Sequence, residues 1–200
     1  GEIPNLEMLK EMLNQLVEYW VKKEKMYLRI APTLLDSADH QALLLDQGLM
    51  ARPATQWIST RVDLIPSQEI LRSNLEKKWR NCLARAEKLG VSFAIGNDED
   101  FLKEFTADYS DFLKEKNFST PITPEFVALF QQLLPVERKM WVLTASLNEV
   151  KLGSILIATY GNSAEYLAGA VNEHGKQVNA GQFLLWNALC AMKNKGFEWF

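Results

Sequence analysis

The chain has 200 residues, of which 48% are hydrophobic and 24% are charged. This is the composition of an ordinary globular protein, and it excludes an intrinsically disordered chain. Lysine and arginine number 22 against 25 aspartate and glutamate residues, which gives a formal net charge of −3. The overall charge therefore gives no reason to expect a nucleic-acid-binding protein, and any basic site must be local.

Residue counts restrict the chemistry further. Two cysteines and two histidines exclude a disulfide scaffold, a cysteine-based zinc site and a histidine-rich metal centre. No apolar run reaches the ~18 residues of a membrane span, and no signal-peptide pattern opens the chain. We therefore expect a cytoplasmic protein that holds no metal.

The first third of the chain is predicted to mix helices and strands. Apolar residues at three-to-four-residue spacing predict a helix over 5–23, with Asn5 as its N-cap. Residues 26–31 are predicted as a short strand, and Ser37 is predicted to cap a second helix over 37–47. Residues 55–64 alternate between polar and apolar side chains, which predicts a half-buried strand.

The middle third is predicted to be mainly helical. Ser73 and Glu76 stand three residues apart and predict a capping box, which would open a helix over 73–89. Gly90 is predicted to end that helix. The following elements are predicted by the same signals: a strand at 91–95, a helix at 98–115 and a helix at 124–134.

The last third changes to strands. The predicted elements are, in order, strands at 140–147, 151–160 and 165–171, a loop at 172–177, a helix at 179–195 and a strand beginning at Phe197. Three hairpin-linked strands followed by a crossover helix and another strand predict an α/β (α+β) fold. Its sheet is expected to be mixed and flanked by helices.

Residues 72–88 are the most informative local feature, because six basic and two acidic residues give them a local charge of +4. At about 100° per residue, a predicted helix here has an apolar face and a basic face. The apolar face carries Leu75, Trp79, Cys82, Ala86 and Leu89, and the basic face carries Lys77, Lys78, Arg80, Arg85 and Lys88. The basic face suits phosphates or an anionic carrier, or it is a solvated face without a ligand.

A second informative stretch surrounds Tyr166. Small residues beside this strand tyrosine would leave a ligand-sized opening, and Gly169 lets another group approach the backbone closely. The helix start at 179–181 offers N–H groups to an anion. The alternative is a tyrosine packed at a sheet edge. Cys82 and Cys190 are interpreted as packed thiols rather than nucleophiles.

Three stretches, in this order, resemble the FemABX family of peptidoglycan bridge-forming, methicillin-resistance-type aminoacyltransferases. Residues 78–91 (KWRNCLARAEKLGV) are similar to the family's K-x-R-x-x-I-x-K-A-x-K-x-G-V helix and strand. Residues 165–170 (EYLAGA) resemble its Y-x-x-G-[AG] strand, and residues 184–197 (LLWNALCAMKNKGF) resemble L-x-W-x-x-I-x-x-A-K-x-x-G. The similarity runs over most of residues 26–200.

The resemblance implies a fold of two N-acetyltransferase-like (GNAT) domains, which agrees with the predicted order of elements. Residues 1–64 would be the C-terminal part of a first GNAT-like domain, and residues 65–200 a second one that lacks its last strand or strands. Family members continue with an aspartate-glycine-glycine strand end that is absent here. We therefore expect the chain to be a piece of a longer protein.

The resemblance also implies an activity. FemABX enzymes transfer an amino acid from aminoacyl-tRNA to an amine of a nucleotide- or lipid-linked peptidoglycan precursor. The chemistry is attack of a neutral amine on an activated acyl ester, with proton removal and oxyanion stabilisation. It needs no cofactor besides the donor and no covalent enzyme intermediate. Peripheral contact with the membrane face is part of the expectation.

The resemblance assigns site residues by position. Tyr166 matches the family's strand tyrosine, which lines the acceptor site, Gly169 belongs to the same motif, and both are expected to bind substrate. Arg80 and Arg85, with Lys78, match the basic helix and are expected to contact phosphates or the carrier. The resemblance identifies no catalytic residue.

One stretch departs from the family pattern. Many members have an R-[DE]-G-F stretch whose arginine contacts the acceptor's phosphates, whereas residues 115–118 here are EKNF. Phe118 alone matches, Lys116 is expected to substitute for the arginine, and both are expected to be substrate-binding residues. The departure leaves a nucleotide-linked acceptor open to question.

Two other functions stay open. One is an acyl-CoA-dependent GNAT enzyme of the cell envelope or of exopolysaccharide synthesis, with acyl-CoA as the donor. Such enzymes carry a Q/R-x-x-G-x-[GA] loop, and residues 177–182 (QVNAGQ) depart from it at Ala180 and Gln182. The other is a non-catalytic domain that binds a carbohydrate, a peptide or a partner subunit.

Overall fold

The computed structural model describes residues 5–32, 34, 37–52 and 60–200. The chain divides into two compact units, Gly1–Ser59 and Thr60–Phe200. The assignment of residues 1–64 and 65–200 to two GNAT-like domains stays a prediction.

The first unit contains the two helices expected from its sequence. The Asn5 side chain accepts a hydrogen bond from the first turn of helix α1, Leu6–Leu16, which continues in wider π-helical turns over Val17–Lys23. Helix α2 covers Ala38–Asp46, and the Ser37 hydroxyl caps it. Both predicted helices and their caps are confirmed.

The two strands predicted in this part of the sequence have different outcomes. The prediction of a strand at 26–31 is wrong, because the backbone there is irregular and Met26 and Tyr27 are exposed. A strand needs a neighbouring strand to pair its N–H and C=O groups, and the local sequence does not show whether one is present. The strand at 55–64 lies partly outside the described residues. Within the described part, Asp63 forms an antiparallel bridge with Trp199.

The second unit begins with two helices where the sequence predicted one. Helix α3 covers Gln68–Asn74 and helix α4 covers Lys77–Lys88, with Leu75 extended between them. The predicted capping box is wrong, because the Ser73 hydroxyl donates to a carbonyl inside α3. Glu76 is the N-cap of α4 and makes no side-chain capping bond.

The next three elements agree with the sequence. Strand β1 covers Ser92–Gly96, helix α5 covers Glu99–Lys116 and helix α6 covers Pro124–Leu133. Asp98 caps α5 and Thr123 caps α6, each by accepting from a first-turn N–H group. A short 3₁₀ turn follows α6 and leads into the sheet.

Three hairpin-linked strands form the centre of the sheet, as predicted. They are β2, Trp141–Leu147, β3, Val150–Tyr160, and β4, Ser163–Val171. The β2–β3 turn is a type I′ hairpin in outline, because Asn148 and Glu149 both have positive φ, 49° and 67°. The sheet order is β1-β2-β3-β4, and all three neighbouring pairs are antiparallel.

Two helices follow the sheet. The predicted loop at 172–177 is wrong, because Glu173–Gln177 forms a short helix, α7. The Asn172 side chain, which accepts from Gly175 N–H at 2.8 Å, starts this turn. The predicted crossover helix is confirmed as α8, Ala180–Asn194. None of the helices in the described part of the chain is long and apolar enough to cross a membrane.

The segment after α8 returns to the sheet. Trp199 forms a parallel bridge with Ser163 and an antiparallel bridge with Asp63. Ala164 N–H donates to the Trp199 carbonyl at 2.9 Å. This end segment adds one isolated parallel bridge at the start of β4, whereas the four strands themselves are all antiparallel. The predicted α/β (α+β) fold, with helices flanking the sheet, is confirmed.

Each face of the sheet is covered by helices over its own apolar core. On one face the core includes Leu83 of α4 and Leu184 of α8. On the other face it includes Phe105 of α5 and Val127 of α6. The sheet therefore separates a layer that contains α4 and α8 from a layer that contains α5 and α6.

Strand β4 contains one residue more than β3 at its centre. Leu167 lies between the partners of Leu156 and Ile157, which makes it the extra residue of a β-bulge. In a regular strand Ala164 and Ala168 would share a face, because they are an even number of residues apart. Ala164 instead packs in the core beside α8, and Ala168 packs in the core beside α5. The bulge thus lets one strand supply both cores.

A buried amide joins α6 to the sheet. Gln131 is 5% exposed, and its amide nitrogen donates to the carbonyls of Asn97 at 3.1 Å and Met140 at 3.3 Å. Its amide oxygen accepts from Met140 N–H at 2.8 Å. The side chain therefore satisfies backbone groups at the end of β1 and at the start of β2.

We expect Gln131→Met to lower the free energy of unfolding by about 2–3 kcal/mol, because each buried polar group left without a partner costs about 1–3 kcal/mol. The measurement is urea unfolding followed by tryptophan fluorescence. Gln132→Met is the matched control, because the side chain of Gln132, next to Gln131 in sequence, is exposed. This variant should change stability little. Equal effects of the two variants would contradict the assignment.

Candidate functional site

An open pocket of about 510 Å³ lies between helix α4 and the start of helix α8. We call it the basic pocket, because three of its lining residues are cations and none is a carboxylate. Its lining consists of Lys77, Lys78, Asn81, Cys82, Arg85 and Asn179. The pocket is therefore a region of positive potential in a chain whose net charge is negative.

The position of the cations follows from the two faces of α4. Lys77, Asn81 and Arg85 are spaced four residues apart, so they lie on one side of the helix. On another side, Leu83 and Ala86 are fully buried in the core that α8 also enters. Burial of this apolar face fixes the helix and leaves the basic face at the surface.

The start of α8 completes the pocket. Asn179 has a left-handed conformation, with φ 60° and ψ 35°, and its side chain makes no capping hydrogen bond. The first N–H groups of a helix point outward and carry its positive dipole end. The structure thus brings the predicted anion-binding helix start beside two predicted phosphate contacts, Lys78 and Arg85.

Arg80, the third predicted phosphate contact, lies elsewhere. It is half-buried and outside the lining of the basic pocket. Its Nη1 donates to the Ser73 carbonyl at 2.6 Å and to the Leu75 carbonyl. Arg80 therefore links the end of α3 to α4, and its role toward a carrier stays a prediction.

Tyr166 and Gly169 lie together on β4. Tyr166 is 46% exposed at this edge strand, and burial of part of its ring, followed by the influence of Tyr109, raises the pKa of its hydroxyl. The predicted close approach at Gly169 is present, and the approaching group is the Tyr166 hydroxyl itself. The role of both residues toward a substrate stays a prediction.

Lys116 is the last residue of α5, and Phe118 lies two residues after it. Lys116 Nζ lies 2.6 Å from a Glu115 carboxylate oxygen and 3.7 Å from one of Glu173. The hydrogen bond to Glu115 raises the pKa of Lys116. Phe118 is 60% exposed. Neither residue lines the basic pocket, and their predicted role at an acceptor's phosphates stays untested.

A second pocket, of about 260 Å³, was not predicted. It lies between α5 and the ends of β3 and β4, and is lined by Asp108, Asp111, Phe112, Glu115, Lys151, Gly153, Ala170, Val171 and Asn172. Acidic residues at 104, 108, 111 and 115 form one stripe of α5, a signal that helical spacing could have revealed. Lys151 Nζ pairs with Asp108 at 2.7 Å and Glu104 at 3.3 Å.

The remaining functional groups are possible metal ligands and the two cysteine thiols. Within the described ranges, no group of three or more histidine, cysteine, aspartate or glutamate side chains is placed to hold a metal ion. Burial raises the pKa of the Cys190 thiol to about 11. Cys82 was predicted as a packed thiol, but it is half-buried and lines the basic pocket.

Residues 72–200 match the family described as Acetyltransferase (GNAT) domain. The match covers more than half of the chain, so the chain belongs to this family. With the antiparallel sheet flanked by helices, the bulged strand β4 and the basic pocket at the crossover helix, this defines the protein as an acyltransferase of GNAT fold.

The solved structures similar to this chain agree with that class. The crystal structure of FemX is similar with a TM-score of 0.77 and 15% identity, over 98% of this chain and 67% of FemX. The C-terminal domain of an Agrobacterium fabrum protein assigned as a lysylphosphatidylglycerol synthetase is similar with a TM-score of 0.60 and 14% identity, over 98% of this chain and 60% of that one. These likenesses confirm the GNAT-like fold expected from the FemABX resemblance. No curated protein matches the sequence.

We expect iodoacetamide at pH 8 to modify Cys82 and leave Cys190 largely unmodified. The thiolate is the reactive form, and a thiol with a pKa of about 11 is protonated at this pH. The measurement is peptide mass spectrometry after limited reaction, with Cys190→Ser as the control that should keep the wild-type extent of labelling. Equal labelling of the two cysteines would contradict the assigned environments.

Proposed function

We propose that this chain is the acyl-transferring part of a FemABX-like enzyme. It moves an aminoacyl group from aminoacyl-tRNA to an amine of a peptidoglycan precursor. The single observation that carries the proposal is the basic pocket at the start of α8, within a chain that matches the FemX fold over 98% of its length. The basic pocket would hold phosphates of the donor's carrier.

The electrostatics of the basic pocket support a phosphate-bearing donor. Lys77, Lys78 and Arg85 provide cations, and Asn179 brings the start of α8, the positive end of its helix dipole, to the same pocket. A phosphate placed there would gain charge-assisted hydrogen bonds, which are about twice as strong as neutral ones. A local site of this kind explains how an anionic carrier would bind a protein with a net charge of −3.

The loop before α8 departs from that of acyl-CoA-dependent GNAT enzymes, whose amides hold the pyrophosphate. Residues 177–182 differ from the expected pattern at Ala180 and Gln182. Two of the loop's amides already bond within the chain, since Val178 N–H donates to the His174 carbonyl and Asn179 N–H to the Lys176 carbonyl. Both features support aminoacyl-tRNA as the first donor to test.

The acceptor side of the proposal rests on Tyr166 and on the chemistry of the transfer. Attack of a neutral amine on an acyl ester needs proton removal and stabilisation of the oxyanion, and it needs no enzyme nucleophile. Tyr166 offers a hydroxyl at the edge of β4. Because Lys116 is paired with Glu115 and Glu173, the proposal includes no phosphate contact from Lys116 to the acceptor.

Acyl-CoA is the second candidate donor, because a pocket of cations at a helix start also suits a pyrophosphate. A parallel transfer assay separates the two donors. The protein is incubated with labelled aminoacyl-tRNA or acyl-CoA, each with nucleotide-linked and lipid-linked precursors. We expect product from aminoacyl-tRNA. Product from acyl-CoA alone, or from neither donor, would reject the proposal.

We expect Lys78→Ala combined with Arg85→Ala to weaken binding of aminoacyl-tRNA by at least about tenfold for each lost cation. A hydrogen bond to a charged group contributes about 1.5–3 kcal/mol. The slope of log affinity against log salt should decrease by about 0.7–0.9 for each lost phosphate contact. Fluorescence anisotropy with labelled tRNA at several salt concentrations measures both quantities.

Lys88→Ala is the matched control for this pair. Lys88 lies on the same helix and is exposed, but it does not line the basic pocket. Its loss removes one charge from the surface and should leave the affinity and the salt slope nearly unchanged. Equal losses in Lys88→Ala and in the pocket variant would mean that general surface charge, rather than the basic pocket, attracts the tRNA.

A further inference from the structure

Two tyrosines on the β3–β4 hairpin have different surroundings. The Tyr160 hydroxyl donates to a Glu165 carboxylate oxygen at 2.9 Å. For Tyr166 the structure shows no hydrogen-bond partner among the residues it describes. Tyr166 is also 46% exposed on the edge strand. Its hydroxyl therefore keeps its hydrogen-bonding capacity for another molecule.

Gly169 is a glycine for reasons of space, not of backbone conformation. Its φ lies outside the positive region that favours glycine, which Gly153 and Gly161 of the same hairpin occupy. A Cβ atom at position 169 would lie 2.7 Å from the Tyr166 hydroxyl oxygen. It would also lie 3.0 Å from Ile155 Cγ2. The nearest obstacle to a side chain at 169 is therefore the Tyr166 hydroxyl.

The bulge supplies the other part of this arrangement. Leu167 is the extra residue, so Tyr166 pairs with Ile157 while Gly169 pairs with Ile155. Tyr166 and Gly169 are three residues apart, so on a regular strand without a bulge they would face opposite sides. The bulge brings Tyr166 to the side on which Gly169 lacks a Cβ atom.

We propose that Gly169 is a positioning residue for Tyr166. Its lack of a side chain, together with the bulge at Leu167, forms a seat that holds the Tyr166 hydroxyl over the edge of β4. Gly169 was expected to bind substrate, and this inference gives it an indirect role instead. The part of the inference that concerns transfer rests on the proposed function, whereas the seat itself does not.

The seat has a chemical consequence for the proposed reaction. Partial burial raises the pKa of Tyr166, so the hydroxyl remains protonated at neutral pH. It is therefore presented as a neutral donor beside Gly169 on the exposed edge strand. A positioned donor can hold an oxygen atom of the acyl ester or of the acceptor without paying to order its own side chain.

A double-mutant cycle tests the seat without any substrate. Gly169→Ala, Tyr166→Phe and the double variant are compared with wild type in urea unfolding. Removal of the Tyr166 hydroxyl relieves the closest contact of the new methyl group, whereas the contacts to Ile155 Cγ2 at 3.0 Å and to the Ser154 carbonyl oxygen at 3.3 Å remain in both backgrounds. We therefore expect Gly169→Ala to lower the unfolding midpoint in both backgrounds, and by more in wild type than in the Tyr166→Phe background.

Gly181→Ala is the control for an added methyl group in the unfolding measurement, because a Cβ at position 181 meets no atom within 4 Å. Equal losses from Gly169→Ala in the two backgrounds would overturn the proposal. If Gly169→Ala does not fold in the wild-type background, folding of the double variant supports the seat. Failure of both variants to fold overturns it.

A spectroscopic signature distinguishes positioning from a general structural effect. The five tyrosines are replaced by 3-fluorotyrosine, and Tyr166→Phe identifies the ¹⁹F signal of Tyr166. In wild type this signal should titrate at higher pH than free 3-fluorotyrosine, because burial raises the pKa of Tyr166. In Gly169→Ala it should move toward the titration of free 3-fluorotyrosine. An unchanged signal in a folded Gly169→Ala variant would overturn the proposal.

Activity then connects the seat to transfer. In the assay with aminoacyl-tRNA, Gly169→Ala should lower kcat about as much as Tyr166→Phe does, and the double variant should be no slower than Tyr166→Phe. Additive losses would reject a role through Tyr166 in transfer. Absence of transfer by wild type would reject the proposed function, while the unfolding and ¹⁹F results would still decide the seat.

Discussion

The extra residue in β4 is the constraint on which most of this structure depends. Leu167 reverses the alternation of side chains between the two halves of β4. Ala164 before it therefore packs in one core and Ala168 after it in the other. The same shift brings Tyr166 over Gly169. One irregularity thus determines both the packing of the sheet between its two helical layers and the position of the tyrosine that faces the open edge.

The basic pocket depends on packing in one of those layers. Leu83 of α4 and Leu184 of α8 are fully buried in the same core, which fixes the two helices beside one another. The start of α8 therefore lies next to Lys78 and Arg85, although Asn179 is about a hundred residues away in sequence. Arg80 lies outside this pocket. Its guanidinium donates hydrogen bonds to the carbonyls of Ser73 and Leu75, in the segment between α3 and α4.

Local signals predicted much of the fold because their causes are local. Asn5, Ser37 and Asp98 cap helices with their own side chains, and a left-handed pair at Asn148 and Glu149 closes a hairpin. Predictions failed where a competing interaction decides the outcome. The Ser73 hydroxyl donates to a carbonyl of α3 instead of capping α4. The Asn172 side chain caps a short helix, α7, where a loop was expected. Residues 26–31 have no strand partner in the described structure.

The sequence by itself determined the order of elements, the basic face of α4 and the resemblance to FemABX proteins, since periodicity, charge and motif are properties of the chain. The tertiary structure alone decided which of these residues meet. It placed Lys78 and Arg85 at the start of α8, turned Arg80 toward the backbone and paired Lys116 with Glu115 and Glu173. Contacts between distant segments depend on how the cores pack and on where a bulge shifts the register, which no local pattern encodes.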